Sequence, residues 1–273
     1  MKKHTSTILL VLVFFVGLSV MLYPTISDFW NEKRQSKAIV DYNSLIETLE
    51  PEDYSQMFKE AEEYNKKLVN INYPLINGKK IAGYDDILDI NGNGMMGYIT
   101  IPKIKVELPV YHGVSDKVLN SATGHIQGTS LPIGGKSTHT VLSAHRGLPS
   151  AKLFTNLDKM AEGDTFTLTV LDRVLTYEVD QIKVVLPHEV NDIYIEKGKD
   201  YCTLITCTPY GINTHRLLVR GKRIATPEPE KVVTVITDAY QIDPMIVTPA
   251  VAAPMLGLLL IYLLVKYRKR KRG

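Results

Sequence analysis

Two cysteines stand five positions apart in one apolar run, and only one has a setting suited to nucleophilic chemistry. Cys202 and Cys207 belong to YCTLITC, which predicts a buried strand. An odd separation directs their side chains to opposite faces, so we do not expect them to pair. Pro209 stops the strand two residues after Cys207 and leaves that thiol at a rim that a substrate can reach. Cys202, in mid-strand, is predicted to be a small buried hydrophobe.

A thiol is mostly protonated near neutral pH, so a nucleophilic Cys207 needs a base or a cation nearby. Among the seven histidines, His145 has the closest matching setting. It closes the apolar run HTVLSAHRG just before Gly147, as Cys207 closes its own strand. A hydrogen-bonded structural role is the competing interpretation for a single histidine of this kind.

An arginine can supply a permanent positive charge to a developing oxyanion or to a bound peptide carbonyl. Arg216 and Arg220 follow Cys207 on what looks like the next strand, and their even separation puts both on one face. Spacing alone does not choose between them. The Gly221-Lys222-Arg223 turn region beside Arg220 favours a surface role for that residue.

One segment imitates a calcium loop. Asp89, Asn91, Asn93 and Gly94 match its opening D-x-N-x-N-G, but Thr100 stands where a bidentate glutamate is required. The segment therefore predicts a turn. We expect no metal site and no cofactor in this chain.

The part of the chain that must position these side chains consists, from Gly97 onward, of short β-rich runs separated by turn residues. The runs are GYITIP, VELPVYH, HTVLSAHR, DTFTLTVL, LTYEVDQIKVVLP, YCTLITCTP and HRLLVRGKRI. Many short strands at this spacing predict a mainly β barrel or sandwich, with helical inserts near 115–121 and 150–161. Before them, helical spacing predicts two lead helices, the second starting at Pro51.

Each end of the chain carries an apolar run beside basic residues. Thr7 to Tyr23 has no charge and no convincing cleavage site, and Ile246 to Val265 is followed by KYRKRKRG. The positive-inside bias keeps both basic clusters in the cytoplasm, which predicts two transmembrane helices with residues 24–245 outside the cell. A buried core helix is the alternative for either run.

The charge distribution argues against nucleic acid as a partner. The chain has 32 basic and 29 acidic residues, but eight of the basic residues lie at the two ends. The stretch between the apolar runs therefore carries 24 basic against 29 acidic residues, and a net acidic domain does not suit a polyanion.

The motifs resemble those of the sortases, specifically the pilus-building class C enzymes. The resemblance covers about residues 95–224, and the helical lead and C-terminal anchor also fit it. It is carried by TLITC, TPYGINTHRLLVRG, AHRGLPSAKLFTNLD, GYITIPKI and VYHGVSD. It implies a closed eight-stranded barrel and a catalytic Cys207, His145 and Arg216, the arginine that directly follows NTH. By the same analogy Thr206 would help to bind the peptide substrate.

The resemblance also implies a division of the chain and an activity. The expected segments are an anchor (1–23), a helical lead with a lid-like loop (24–94), the barrel (95–224), a linker (225–245) and a second anchor with a basic tail (246–273). The expected activity is cleavage of a Leu-Pro-x-Thr-Gly-like sorting signal between Thr and Gly, followed by transfer of the acyl fragment to a lysine of another pilin subunit. The enzyme is expected in the cell membrane. Two alternatives are a housekeeping sortase that uses a cell-wall peptide amine, and a non-catalytic membrane-bound binding module.

One departure from the class C pattern concerns the lid. These enzymes usually carry an Asp-Pro-aromatic set before the barrel, whereas this chain reads NINYPLINGKK, with Tyr73-Pro74 as the nearest approximation. Asp85 and Asp86 could replace the acid, and Tyr73 or Tyr84 the ring. We expect this loop to restrain the site less than the lid does in relatives.

Overall fold

Eight strands between Met95 and Ile224 close into a barrel. The computed structural model describes residues 2–72, 74–78, 81–226 and 252–262. The strands are β1 (Met95–Ile101), β2 (Val106–His112), β3 (Thr123–His125), β4 (Thr138–Ser143), β5 (Thr165–Val170), β6 (Arg173–Val185), β7 (Asp200–Thr208) and β8 (His215–Ile224). Their order is β1-β2-β3-β4-β7-β8-β6-β5, and β5 pairs with β1. The predicted eight-stranded barrel is confirmed.

Most neighbouring strands are antiparallel, and two pairs are parallel: β2 with β3, and β4 with β7. The sequence patterns found seven of the eight strands. They missed β3, which has only three residues.

The predicted helix at 150–161 is wrong, because only Leu157–Lys159 forms a 3₁₀ turn there. Leu153 has a φ of +40°, which interrupts a right-handed helix.

The barrel interior is filled by one face of each strand, as the alternation of side chains requires. Phe166 of β5 and Tyr177 of β6 stack at its centre with a ring separation of 5.6 Å. Gly221 of β8 passes directly beneath them. A Cβ at this position would lie 2.7 Å from the Phe166 ring and 2.8 Å from the Tyr177 Cβ, so only glycine lets β8 approach these two residues.

Helices precede the barrel. Helix α1 (Lys2–Ile46) is continuous through Pro24, so the predicted anchor and first lead helix form one element. Helix α2 (Pro51–Val69) begins at the proline, as predicted. Its buried apolar residues recur every three or four positions and pack on the barrel; they are Phe58, Ala61, Tyr64 and Leu68.

The C-terminal part of α1 packs on the barrel through a small cluster of its own. Ile39 and Tyr42 are buried with Met95. The Tyr42 hydroxyl donates to the Met96 carbonyl at 2.9 Å and accepts from the Leu171 N–H at 2.9 Å. The chain divides into two compact units, 1–30 with 231–273, and 31–230, and this contact lies within the second.

Membrane-spanning potential is found in α1. Its stretch Ile8–Ile46 contains a window with a mean hydropathy of 2.4, and that window is not buried by protein. A shorter apolar helix, α3, covers Ala252–Tyr262. The rest of the predicted second span, Ile246 to Val265, lies outside the described residues. One helix of the described chain is therefore long and apolar enough to cross a membrane.

The segment between α2 and the barrel is held by hydrogen bonds. The hydroxyl of Tyr84 lies 2.9 Å from Nδ1 of His125 and accepts the Gly113 N–H at 3.0 Å. In the calcium-like turn, the Asp89 carboxylate accepts the N–H groups of Asn93 and Gly94. Tyr84 is therefore occupied on the barrel and is not available as a lid ring.

Candidate active site

Cys207 and Arg216 face each other across the β7–β8 ladder. They are direct partners in the antiparallel register. On β7, Cys202, Leu204 and Thr206 fill the barrel interior, so the alternating Cys207 lies on the outer face. Directly opposite residues on one face have Cβ atoms about 4.5–5.5 Å apart, which brings the thiol and the guanidinium into the same small region.

His145 reaches the same level of the barrel from the other side of β7. Strand β4 runs parallel to β7, with Ser143 opposite Ile205. The ladder continues by one bond, from the Ala144 N–H to the Ile205 carbonyl at 3.2 Å. Continued by two residues past the end of β4, the same register predicts that His145 lies beside Cys207. The topology thus gathers three side chains that are far apart in sequence.

The two cysteines have different environments, as predicted. Both are free thiols. Cys202 is fully buried inside the barrel, and burial raises the pKa of its thiol. Cys207 is half-buried on the outer face. A raised pKa keeps Cys202 protonated and unreactive, so Cys207 is the thiol with access to a substrate.

The structure separates the two arginines that spacing left equivalent. Arg220 donates from Nε and Nη2 to Asp180, both at 3.0 Å, and from Nη1 to Glu196 at 3.3 Å. Arg216 donates from Nη1 to two carbonyls, and no carboxylate among the described residues lies within ion-pair distance of it. Arg220 is therefore committed to structure, while Arg216 keeps donors for another ligand.

Thr206, which the resemblance assigns to binding of the peptide substrate, is buried in the structure, and its substrate-binding role stays a prediction. Thr206 is 1% exposed and faces the barrel interior. Its hydroxyl donates to the Ala144 carbonyl at 2.8 Å. It lies on the opposite face from Cys207 because it is the preceding residue of a strand. What Thr206 does is tie β7 to the residue before His145.

A groove of about 290 Å³ leads along the outer face to Arg216. Ile205 of β7 and Leu218 of β8 form its floor and pack with Val141 and Ile193 in an apolar cluster. Its remaining walls come from β3–β4, the end of β6 and the β6–β7 connection; they include Ile126, Val185, Val190 and Ser143. The groove suits an apolar extended peptide whose end meets Arg216, the cross-strand partner of Cys207.

Leu75 of the segment before the barrel also lines this groove. It belongs to a short helical turn, Pro74–Asn77, and packs against the groove cluster. Gly128 lets the turn lie close, because a Cβ there would be 2.5 Å from the Pro74 carbonyl oxygen, and its φ is +93°. Tyr73 lies outside the described residues. Asp85 and Asp86 are exposed and do not pair with Arg216.

Sequence reasoning missed two contributors to this region. The β6–β7 connection supplies Val190 and Ile193, whose irregular backbone has no periodicity to detect. Arg146, beside His145, donates to the Thr208 hydroxyl next to Cys207. Its signal was visible as a charged residue inside the otherwise uncharged stretch TVLSAHRGLPS.

Comparison with known proteins gives matches to the barrel that carries these residues. The family described as "Sortase domain" matches residues 99–224. Sortase A from Streptococcus agalactiae serotype III (strain NEM316) is 31% identical over 137 residues, which are 49% of this chain and 55% of that protein. The chain thus spans just over half the length of this curated relative.

Solved structures match a larger share of this chain. Sortase C1 from Streptococcus agalactiae is 47% identical with a TM-score of 0.66, covering 70% of this chain and 100% of that one. Sortase C from Clostridium perfringens, solved with the C-terminal cell wall sorting motif, is 43% identical with a TM-score of 0.61, covering 70% and 100%. This similarity, with the barrel and its half-buried thiol, shows that the chain belongs to the sortases, a family of cysteine transpeptidases.

Proposed function

We propose that this chain is a membrane-anchored class C sortase that cuts a Leu-Pro-x-Thr-Gly-like signal and joins the acyl fragment to a pilin lysine. The observation that carries the proposal is the pairing of Cys207 with Arg216 across the β7–β8 ladder; the β4–β7 register, which ends at Ser143 and Ile205, brings His145 to the same level when it is continued by two residues. The apolar groove that reaches Arg216 supports a peptide substrate.

In the first half-reaction the Cys207 thiolate attacks the Thr carbonyl carbon, and the carbonyl oxygen gains negative charge. Arg216 donates to that oxygen or holds the peptide beside it. The C–N bond to Gly then breaks while the His145 imidazolium gives its proton to the leaving amine. The product is a thioester on Cys207.

In the second half-reaction an amine attacks the thioester carbon. Neutral His145 takes the proton from the amine, and the Cys207 thiolate leaves. With a pilin lysine as the amine, the product is an isopeptide bond, and repetition gives a polymer. Thr206 acts in this scheme by holding β7 against the β4 end, since its hydroxyl is bound to Ala144.

We further propose two membrane anchors with the barrel outside the cell, and the division into 1–23, 24–94, 95–224, 225–245 and 246–273. The apolar α1 and the basic residues beyond 265 support this topology. Anchoring would keep the enzyme beside membrane-tethered pilins and raise their effective concentration.

The decisive experiment uses the full chain in detergent with a Leu-Pro-x-Thr-Gly peptide and an amine acceptor. Mass spectrometry should detect a thioester on Cys207 and the transpeptidation product, and Cys207→Ala should yield neither. Cys202→Ala is the matched control because it removes the other thiol. A non-catalytic binding module would bind the peptide without forming the thioester.

The amine is identified in cells. Deleting the gene should remove high-mass surface polymer if the acceptor is a pilin lysine. Loss of wall-linked monomer with polymer unchanged would assign the housekeeping alternative.

A further inference from the structure

Arg146 connects three segments at the end of the barrel that carries the site. Its side chain is only 8% exposed. Nε donates to the Thr155 carbonyl at 3.2 Å, Nη1 donates to the Thr208 hydroxyl at 3.2 Å, and Nη2 pairs with the Asp158 carboxylate. A guanidinium this deeply buried needs such partners, because an unpaired buried charge is strongly destabilising.

Two side-chain links bracket the reactive pair. On one side the Thr206 hydroxyl binds the carbonyl of Ala144, and on the other Arg146 binds the hydroxyl of Thr208. His145 and Cys207 are the residues between these links. Strand β4 ends at Ser143, and the last backbone bond to β7 is the one from Ala144 to Ile205, so from His145 onward the separation of the two segments depends on side chains.

Arg146 also holds the loop that returns to His145. The His145 carbonyl accepts the Phe154 N–H at 3.1 Å, and the Gly147 N–H donates to the Thr155 hydroxyl at 3.1 Å. Both bonds come from the segment that Arg146 fixes through the Thr155 carbonyl and Asp158. The backbone on either side of the imidazole is therefore held to the same loop.

We propose that Arg146 is a positioning residue that sets the separation of His145 from Cys207. The inference rests on the proposed function of these two residues. Arginine suits the role because its planar fork binds three partners in fixed directions, whereas lysine offers one point charge. A displacement of about 1 Å between reacting groups can cost on the order of a hundredfold in rate.

The test measures kcat and KM for peptide cleavage by the full chain in detergent, with Arg146→Lys, Thr208→Val and the double variant. We expect each single change to lower kcat about tenfold or more with KM within about twofold, since the groove is untouched. The double variant should be no worse than the poorer single one, because both break the same link. Arg173→Lys, which alters a guanidinium packed over Phe58 at 3.5 Å, is the control and should keep the wild-type kcat.

A second measurement does not depend on the peptide. The pH profile of iodoacetamide alkylation at Cys207 should shift in Arg146→Lys and Thr208→Val towards the profile of His145→Ala. Wild-type kcat and alkylation profiles in Thr208→Val, or additive losses in the double variant, would overturn the proposal. A wild-type chain that alkylates normally but cleaves no sorting peptide would instead overturn the proposed function.

Discussion

Cys207 and Arg216 occupy paired positions on β7 and β8, so the hydrogen-bonded ladder itself fixes their separation. Neither residue is carried by a loop, and the strands on both sides of the pair complete a closed barrel. A side-chain substitution that keeps the ladder should therefore leave the backbone of both residues in place. The chemistry of each side chain can be tested without moving the other.

The two arginines should respond differently to a conservative change. We expect Arg216→Lys to lower kcat about a hundredfold, because a point charge does not reproduce the paired donors of a guanidinium. Arg220→Lys should keep most activity but lose its bidentate contact with Asp180, lowering the free energy of unfolding by about 1–2 kcal/mol. Peptide cleavage and thermal melting of both variants check this. Equal losses of activity at unchanged melting would remove the distinction.

Thiol reactivity should follow the two faces of β7. In the folded chain, iodoacetamide should label Cys207 and spare Cys202, whose thiol is buried inside the barrel with a raised pKa. Cys202→Ala should retain most acyl transfer and Cys207→Ala none. Peptide mapping by mass spectrometry measures the labelling. Loss of activity in a folded Cys202→Ala variant would contradict the assignment of the nucleophile.

Acid should destabilise the barrel through His125. Burial lowers the pKa of its imidazole to about 4, while Nε2 lies 2.9 Å from the Ser130 carbonyl. Between pH 6.5 and 4 the unfolded chain binds a proton that the folded chain excludes, so stability is full above about 6.5 and falls as the pH drops. The difference between the unfolded and folded pKa of His125 corresponds to a loss of about 3 kcal/mol in the free energy of unfolding.

Melting or denaturant unfolding at several pH values measures this slope. His125→Gln removes the titrating group, so its stability should fall less between pH 6.5 and 4 than that of the wild type. His188→Gln, at an exposed position, is the matched control. A variant that keeps the full wild-type slope would show that other groups carry the acid sensitivity.

Much of the barrel could be predicted from the sequence because its strands are long and alternate cleanly. Strand β3 has three residues, too few to show a period, and the loop after His145 takes its shape from distant contacts such as Arg146 with Thr208. The resemblance selected Cys207, His145 and, by its position after NTH, Arg216, whereas spacing alone left the arginines equivalent; the ion pairs of Arg220 supply the physical distinction. The burial of Thr206 could not be predicted, because analogy carries no information on which face of a strand a side chain takes.

The last prediction concerns Leu75, the residue of the pre-barrel segment that lines the groove. The Asp-Pro-aromatic set is absent from the sequence, and Tyr84 is held on His125, so this contact is an aliphatic one without an ion pair to Arg216. Burying one leucine side chain contributes at most about 1.5–3 kcal/mol, and a half-buried one less. Removing it should therefore open the groove only modestly.

We expect Leu75→Ala, and joint replacement of Tyr73, Pro74 and Leu75 by Gly or Ala, to raise peptide cleavage and Cys207 alkylation by less than about tenfold. Ile76→Ala, an exposed neighbour on the same turn, is the control. Initial rates of both reactions give the measurement. A much larger acceleration of both would show that the segment is an effective lid, and that the missing Asp-Pro-aromatic set does not weaken self-inhibition.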